Sequence, residues 1–199
     1  MQAAIILKAP NLTCEVSENN VIFADAAYKF KNQLGQKNVL AVVGDFDSLG
    51  CAPENEKVVN LNVEKNFTDG ERAVRYAVEN GYDELTIYGA FGGKIEHILG
   101  NIALLKIALN LGAKAKIKDG ECITRLIDKS TNLSVKKGST LSILPYGGNC
   151  VFKSSKGLYY PLNDLTLTPS DTRGISNVAT ENVVQLQLVS GEALVIYQN

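Results

Sequence analysis

The chain has 199 residues, 45% hydrophobic and 21% charged, with 20 Lys and Arg against 21 Asp and Glu and a formal net charge of −1. That balance fits one large or two small folded domains and excludes a disordered chain. It also leaves no global positive field to hold nucleic acid or an anionic membrane.

The four cysteines, Cys14, Cys51, Cys122 and Cys150, are scattered without a C-x-x-C pair, which argues against a zinc ribbon or a redox motif. The opening Met1-Gln-Ala-Ala-Ile-Ile-Leu-Lys8 has too short an apolar run, and no basic stretch, for a signal peptide. No apolar run approaches the ~18 residues of a membrane span. A cytoplasmic protein with reduced thiols and no membrane partner is expected.

Taken in chain order, residues 3–7, 21–24, 39–43, 57–61, 84–88 and 115–118 read as strands. Several are continuous Val/Ile/Leu runs, as parallel strands buried on both faces require. Residues 26–34, 69–80 and 97–111 read as helices between them. The second opens with Thr68-Asp-Gly-Glu71, a capping-box pattern. The third carries Ile98, Ile102, Leu105 and Leu109 as an apolar stripe and ends at Gly112. After residue 120 the helical signal stops. Residues 123–127, 133–136, 140–144, 151–154, 158–162, 183–189 and 193–197 read as strands separated by turn clusters. The predicted architecture is an α/β N-terminal domain, 1–120, with a mainly parallel open sheet. An all-β antiparallel sandwich or barrel-like C-terminal domain, 121–199, follows.

In open α/β sheets ligands bind beyond the C-terminal ends of the strands, and four polar clusters fall there. Gly44-Asp-Phe-Asp-Ser48 follows the third strand. If extended, it puts Asp45 and Asp47 on one side, able to share a divalent cation; otherwise it is an Asp-stabilised turn. Lys65-Asn-Phe-Thr-Asp-Gly-Glu71 opens a helix, where Thr68 serves as cap and Asp69 and Glu71 suit the positive helix end. Lys65 has no such structural reason, and Asp69 adds a third carboxylate beside the Asp pair. Gly89-Ala-Phe-Gly-Gly-Lys-Ile-Glu-His97 joins a strand to a helix. Its glycines let backbone approach a phosphate, yet it is neither a Walker A loop nor a dinucleotide fingerprint, and as structure it is a tight connection. His97, the single histidine, receives no chemical role. Asp25, in Ala24-Asp-Ala-Ala27, is an N-cap candidate.

As an ordered set these clusters resemble the thiamine pyrophosphokinase family, whose pattern runs A-D-G-G-A, G-D-F-D-S, K-D-x-T-D-x-E and G-G-R-x-D-H-x-L-x-N. The last is matched by Gly92-Gly-Lys-Ile-Glu-His-Ile-Leu-Gly-Asn101. Gly157-Leu-Tyr-Tyr-Pro-Leu162 and Gly174-Ile-Ser-Asn177 resemble the family's G-L-x-Y-P-L and G-x-S-N segments, so the likeness runs over nearly the whole chain. Three positions depart from it: Asn66 and Glu96 stand for Asp, and Lys94 stands for Arg.

The resemblance implies transfer of diphosphate from ATP to the thiamine hydroxyl, releasing AMP. It implies Mg²⁺ on Asp45, Asp47 and Asp69, and catalytic roles for Lys94 and Glu96 beside those three. It also implies ATP or phosphate contacts from Asp25, Ser48, Lys65, Thr68, Gly92, Gly93 and Asn101, and thiamine contacts from Ser176 and Asn177. A homodimer with thiamine between the α/β domain of one chain and the β domain of the other is implied as well. Two alternatives stand beside it: a diphosphotransferase for another alcohol such as a pterin, and a catalytically impaired nucleotide- or thiamine-binding paralogue.

Overall fold

The computed structural model describes residues 1–46, 53–60 and 67–198. The chain divides into two compact units, Met1–Gly120 and Glu121–Asn199.

In the first unit six strands run parallel: β1 (Gln2–Ile6), β2 (Asn20–Ala24), β3 (Asn38–Gly44), β4 (Val58–Asn60), β5 (Glu84–Tyr88) and β6 (Lys114–Asp119), in the order β6-β5-β1-β2-β3-β4. Four of five residues in each of β1, β2 and β5 are buried, which is why these segments read as unbroken apolar runs. The apolar face of β1 and β2 packs into a core of Ala4, Ile6, Val21, Phe23, Ala27, Phe30, Val42, Phe46 and Tyr88. The segment expected as a first helix is a 3₁₀ helix, Asp25–Gln33.

Helix α1 (Asp69–Glu79) begins where Thr68 Oγ1 accepts the Glu71 N–H at 3.1 Å. The Glu71 carboxylate turns along the helix and accepts from Arg75 Nε and Nη2 at 2.9 and 2.8 Å, so the Thr68 half of the expected capping box is the half that caps. Helix α2 (Ile95–Asn110) starts two residues earlier than its periodicity suggests and is apolar on nearly every side.

The second unit is antiparallel throughout. Its strands are β7 (Cys122–Ile127), β8 (Thr131–Ser134), β9 (Thr140–Pro145), β10 (Cys150–Lys156), β11 (Leu165–Leu167), β12 (Asn177–Val178), β13 (Val183–Ser190) and β14 (Ala193–Gln198). They form two runs, β12-β9-β14-β7 and β11-β10-β13-β8. One core takes side chains from both, including Ile123, Leu141, Ile143, Phe152, Val184, Leu186 and Tyr197, so the unit is a sandwich. Strand β13 alternates buried and exposed residues along most of its length, the pattern of a strand with one wet face. The two-domain α/β-then-β fold expected from the sequence is the fold observed.

Residues 158–162, expected as a strand, are instead a turn touching the sheet by one bridge, Leu158 to Ala179. Gly157 lies at φ +77° before it and Pro161 lies inside it. β11 and β12, three and two residues long, carry too little periodicity to be anticipated. Among the described residues no helix is long and apolar enough to cross a membrane.

Candidate active site

The described residues of the first unit's polar clusters lie at the C-terminal edge of its sheet. Asp25 directly follows β2, with its backbone at φ +45° and its side chain 7% exposed. Its Oδ1 is buried and has no hydrogen-bond partner among the described residues. Such an oxygen is costly to leave unmade and suits a ligand or cation. Asp25 lies hard against the end of β3: a β-carbon added at Gly44 would come within 2.9 Å of Asp25 Cβ. Only glycine fits there, so the A-D-A-A and G-D-F-D-S clusters are pressed together by the absence of a side chain.

Asp45 is half-buried just beyond Gly44. Of the two forms the sequence leaves open for Asp45-Phe-Asp, extended or turned, Phe46 adopts the turned one. Phe46 is at φ +63° with its ring buried at 5% exposure, so the chain turns at Phe46 instead of alternating through it. Burial of the ring in the core holds that strained turn. Asp47, Ser48 and Lys65, together with Asn66, lie outside the described residues. No group of three His, Cys, Asp or Glu able to hold a metal occurs among the described residues. The described part of the acidic set, Asp25, Asp45 and Asp69, offers only the hard oxygen donors that Mg²⁺ takes.

Asp69 is the first residue of α1, and the next residue, Gly70, faces Leu7 and Leu104, which brings that helix end to the end of β1. Thr68 spends its hydroxyl oxygen on the helix cap. Gly92 and Gly93 are exposed in the turn after β5; Lys94 is the N-cap residue of α2 and Glu96 lies in its first turn, both exposed. A carboxylate there is favoured by the helix dipole. Asn101 faces back into this loop and donates from Nδ2 to the Ala90 carbonyl at 2.8 Å, fixing the glycine-rich turn to the helix.

In the second unit the G-L-Y-Y-P-L and G-I-S-N segments meet. Asn177 is 2% exposed; its Oδ1 accepts the Tyr160 N–H at 3.0 Å and its Nδ2 donates to the Tyr160 carbonyl at 2.7 Å. Gly174 is tied to β9 through the Ile143 N–H at 2.8 Å, and Ser142 Oγ accepts the Ser176 N–H at 3.0 Å. Ser176 is exposed at φ +58°. Clamped beside it, Tyr159 and Tyr160 are 65% and 62% exposed and meet edge to face, centroids 4.8 Å apart. Sequence reasoning passed over these rings. The available signal was a pair of adjacent aromatics in a Gly/Pro-bounded turn, where a strand had been expected.

Two family models match. One, described as "Thiamin pyrophosphokinase, catalytic domain", covers residues 15–117, and the other, "Thiamin pyrophosphokinase, vitamin B1 binding domain", covers 126–191. The chain is 31% identical over 152 residues to thiamine pyrophosphokinase of Bacillus subtilis (strain 168), covering 67% of this chain and 66% of that protein. It is 23% identical over 164 residues to thiamine pyrophosphokinase 1 of Oryza sativa subsp. japonica, covering 73% and 61%. The match thus spans slightly less than two thirds of these curated relatives' own lengths. In fold it superimposes on the crystal structure of thiamine pyrophosphokinase from Bacillus subtilis with a TM-score of 0.87, at 22% identity, over 100% of this chain and 99% of that one. Since the catalytic-domain model alone matches more than half of the residues, the chain belongs to the thiamin pyrophosphokinase family.

Proposed function

We propose that the protein transfers the terminal diphosphate of ATP to the hydroxyl of thiamine, giving thiamine diphosphate and AMP. The observation that carries this reading is the presence of both domain models on one chain, catalytic over the first unit and vitamin B1 binding over the second.

In the reaction the thiamine hydroxyl oxygen attacks the β-phosphorus. The new O–P bond forms as the bond from that phosphorus to the oxygen bridging to the α-phosphorus breaks, and AMP leaves with that oxygen. Glu96 takes the hydroxyl proton. Lys94 steadies the transferring phosphates, with Lys65 as a secondary cation and further contacts assigned to Ser48, Thr68, Gly92 and Gly93. Asp45, Asp47 and Asp69 would hold Mg²⁺, and Asp25 would contact the phosphates or the ion. When bound, Mg²⁺ neutralises phosphate charge that these carboxylates would otherwise repel. The orphaned oxygen of Asp25, on a residue held against Gly44, supports a cation at this edge.

On the thiamine side Ser176 supplies a polar contact and the exposed Tyr159 and Tyr160 offer flat faces to a cationic aromatic ring. Asn177 acts through Tyr160, since its amide is engaged by that residue's backbone. Asn101 likewise acts by holding the loop after β5. Two chains pair to complete the thiamine pocket, and the protein works in the cytoplasm, where Cys14 and Cys150 remain thiols.

The test is incubation with ATP, Mg²⁺ and a panel of alcohols. Thiamine-dependent AMP, abolished by EDTA, is expected. Formation of ADP with thiamine monophosphate, or turnover of a pterin alcohol but not thiamine, overturns the reading.

A further inference from the structure

The strand order sets a place for the phosphates that no motif marks. From β1 the chain builds β2, β3 and β4 to one side, then returns to the other side of β1 with β5 and β6. The direction of winding therefore switches between β1 and β5, and in open parallel sheets the ligand crevice lies at that switch, beyond the strand ends. Two segments border it: the residues after β1 and the glycine-rich turn after β5.

These segments touch. The Leu7 N–H donates to the Tyr88 carbonyl at 2.8 Å, carrying the β1–β5 pairing past the strand end. Gly89 is at φ +69°, and a β-carbon on it would lie 2.4 Å from the Leu7 carbonyl oxygen. Three residues further, a β-carbon on Gly92 would meet Pro10 Cδ at 3.4 Å. Between Leu7 and Pro10 the chain makes a three-residue turn, with the Ala9 N–H donating to the Leu7 carbonyl at 3.0 Å. Leu7 and Ala9, the feet of the turn, are buried at 4% and 3% exposure. Lys8, its apex, is exposed.

We infer that Lys8 binds the β- and γ-phosphates of the nucleotide, a second cation facing Lys94 across the β1–β5 crevice. The charge layout of the edge fits this role. Carboxylates of Asp25 and Asp45 follow β2 and β3, Asp69 opens α1 beside the end of β1, and the segments after β1 and β5 carry Lys8 and Lys94, with Glu96 after the latter. A polyphosphate placed over the switch point meets the two ammonium groups directly and the carboxylates through a cation. The tight turn limits the backbone freedom of Lys8, so its charge is offered at a nearly fixed root.

The inference rests on the ATP-dependent reading above, and its test separates the two. Binding of α,β-methylene-ATP, in which the bond broken in the transfer is replaced by carbon, is measured by calorimetry with Mg²⁺ on the full chain, and binding of AMP in parallel. For Lys8→Met the analogue's Kd is expected to rise about tenfold or more, the loss of one charge-assisted contact. AMP binding and Tm are expected to stay unchanged. Lys8→Arg retains analogue binding within about threefold if charge is what matters, and Lys8→Gln repeats the loss with polarity and much of the length kept. Unchanged analogue binding in Lys8→Met and Lys8→Gln, or equal weakening of AMP, overturns the assignment. A wild-type protein that binds the analogue but makes no thiamine diphosphate overturns the thiamine reading and leaves Lys8 standing. One that binds no analogue overturns both.

Discussion

At the first turn of α2, the proposed chemistry of Lys94 and Glu96 overlaps with their place at the helix start, and a single measurement would confuse the two. Both side chains are exposed at the positive end of the helix, where a carboxylate contributes about 0.3–1 kcal/mol whether it belongs to Asp or Glu. Exchanging Glu96 for Asp therefore leaves Tm nearly in place, and any change in turnover reports on the chemistry. Lys94 is a point charge on a flexible stem, where the family pattern has the rigid fork of Arg. A misplacement of about 1 Å can cost on the order of 10²-fold in rate. In the proposed reading Glu96, longer than Asp, reaches further and compensates. The expected outcome is that Lys94→Arg and Glu96→Asp each lower kcat/KM, while the double variant recovers the loss with a clear coupling energy. Additive effects, with Lys94→Arg faster than wild type, would show a weakened site and no compensation. The placement of Asp25, Asp45, Asp69, Lys94 and Glu96 at one edge was legible in the sequence from strand-end and helix-start grammar. What was not legible depends on backbone at positions that are not glycine. The turns at Asp25, Phe46 and Ser176 sit at positive φ, which no residue type announced. Nor did Asn177, read as a ligand contact, announce that its amide would be engaged by Tyr160.

The connection from β1 to β2 shows how an element without regular structure is held. It crosses from Ile6 to Asn20 with no helix, yet Ala9 and Pro10 within it lie against the turn after β5. Glu18 fastens it: its carboxylate accepts from Thr86 Oγ1 at 2.5 Å and from the Tyr88 hydroxyl at 2.8 Å, both on β5. At the far side Thr13 bonds the Asp119 carboxylate and accepts the Gly120 N–H at 2.9 Å. Burial alone pushes the Glu18 carboxyl up, but the bonds from Thr86 and Tyr88 outweigh it and hold it below its ordinary value of 4.5. Burial raises the Tyr88 hydroxyl to about 12. A lowered carboxyl contributes stability that is complete above its unfolded value and lost as pH falls through the folded one. A raised phenol contributes stability that is complete below its unfolded value and lost as pH rises toward the folded one. The clamp is thus intact from about pH 5 to 9 and fails at both ends. Glu18→Gln should lower Tm at neutral pH, and its difference from wild type should shrink below about pH 4. A pH-independent difference, followed by thermal denaturation across that range, would show that the charge on Glu18 contributes nothing. None of this was visible in the sequence, since Glu18 and Thr86 are 68 residues apart. The regular strands are visible as unbroken apolar runs in the parallel sheet and as alternation in β13, whereas residues 158–162 have an apolar composition but form a turn that Gly157 precedes and Pro161 interrupts.

For the whole molecule, α2 poses a question that a single chain does not answer. A helix apolar on all sides belongs in an interior, and its C-terminal half obeys, with Leu104, Leu105 and Ala108 buried. Its N-terminal half leaves Ile95 and Leu99 at 74% and 63% exposure, next to the proposed catalytic Lys94 and Glu96. Fully covering two such side chains is worth roughly 1.5–3 kcal/mol each, so leaving them in water is a cost that a second copy would remove. In the proposed reading that copy also completes the thiamine pocket, bringing its exposed Tyr159, Tyr160 and Ser176 to the substrate. Light scattering should accordingly give about twice the 21.5 kDa chain mass. Leu99→Lys puts a charge into the proposed contact without touching the buried side of the helix. It should yield a folded monomer with unchanged Tm at low concentration. That monomer should still bind α,β-methylene-ATP, because the nucleotide edge is built by one chain, but thiamine turnover should fall by on the order of 10²-fold or more, the scale expected when a substrate is no longer positioned. A wild-type monomer with full activity at assay concentration would show that each chain is complete. A Leu99→Lys dimer with normal turnover would move the contact elsewhere on the surface. Loss of nucleotide binding together with thiamine turnover in a folded Leu99→Lys monomer would show that pairing shapes the nucleotide edge as well.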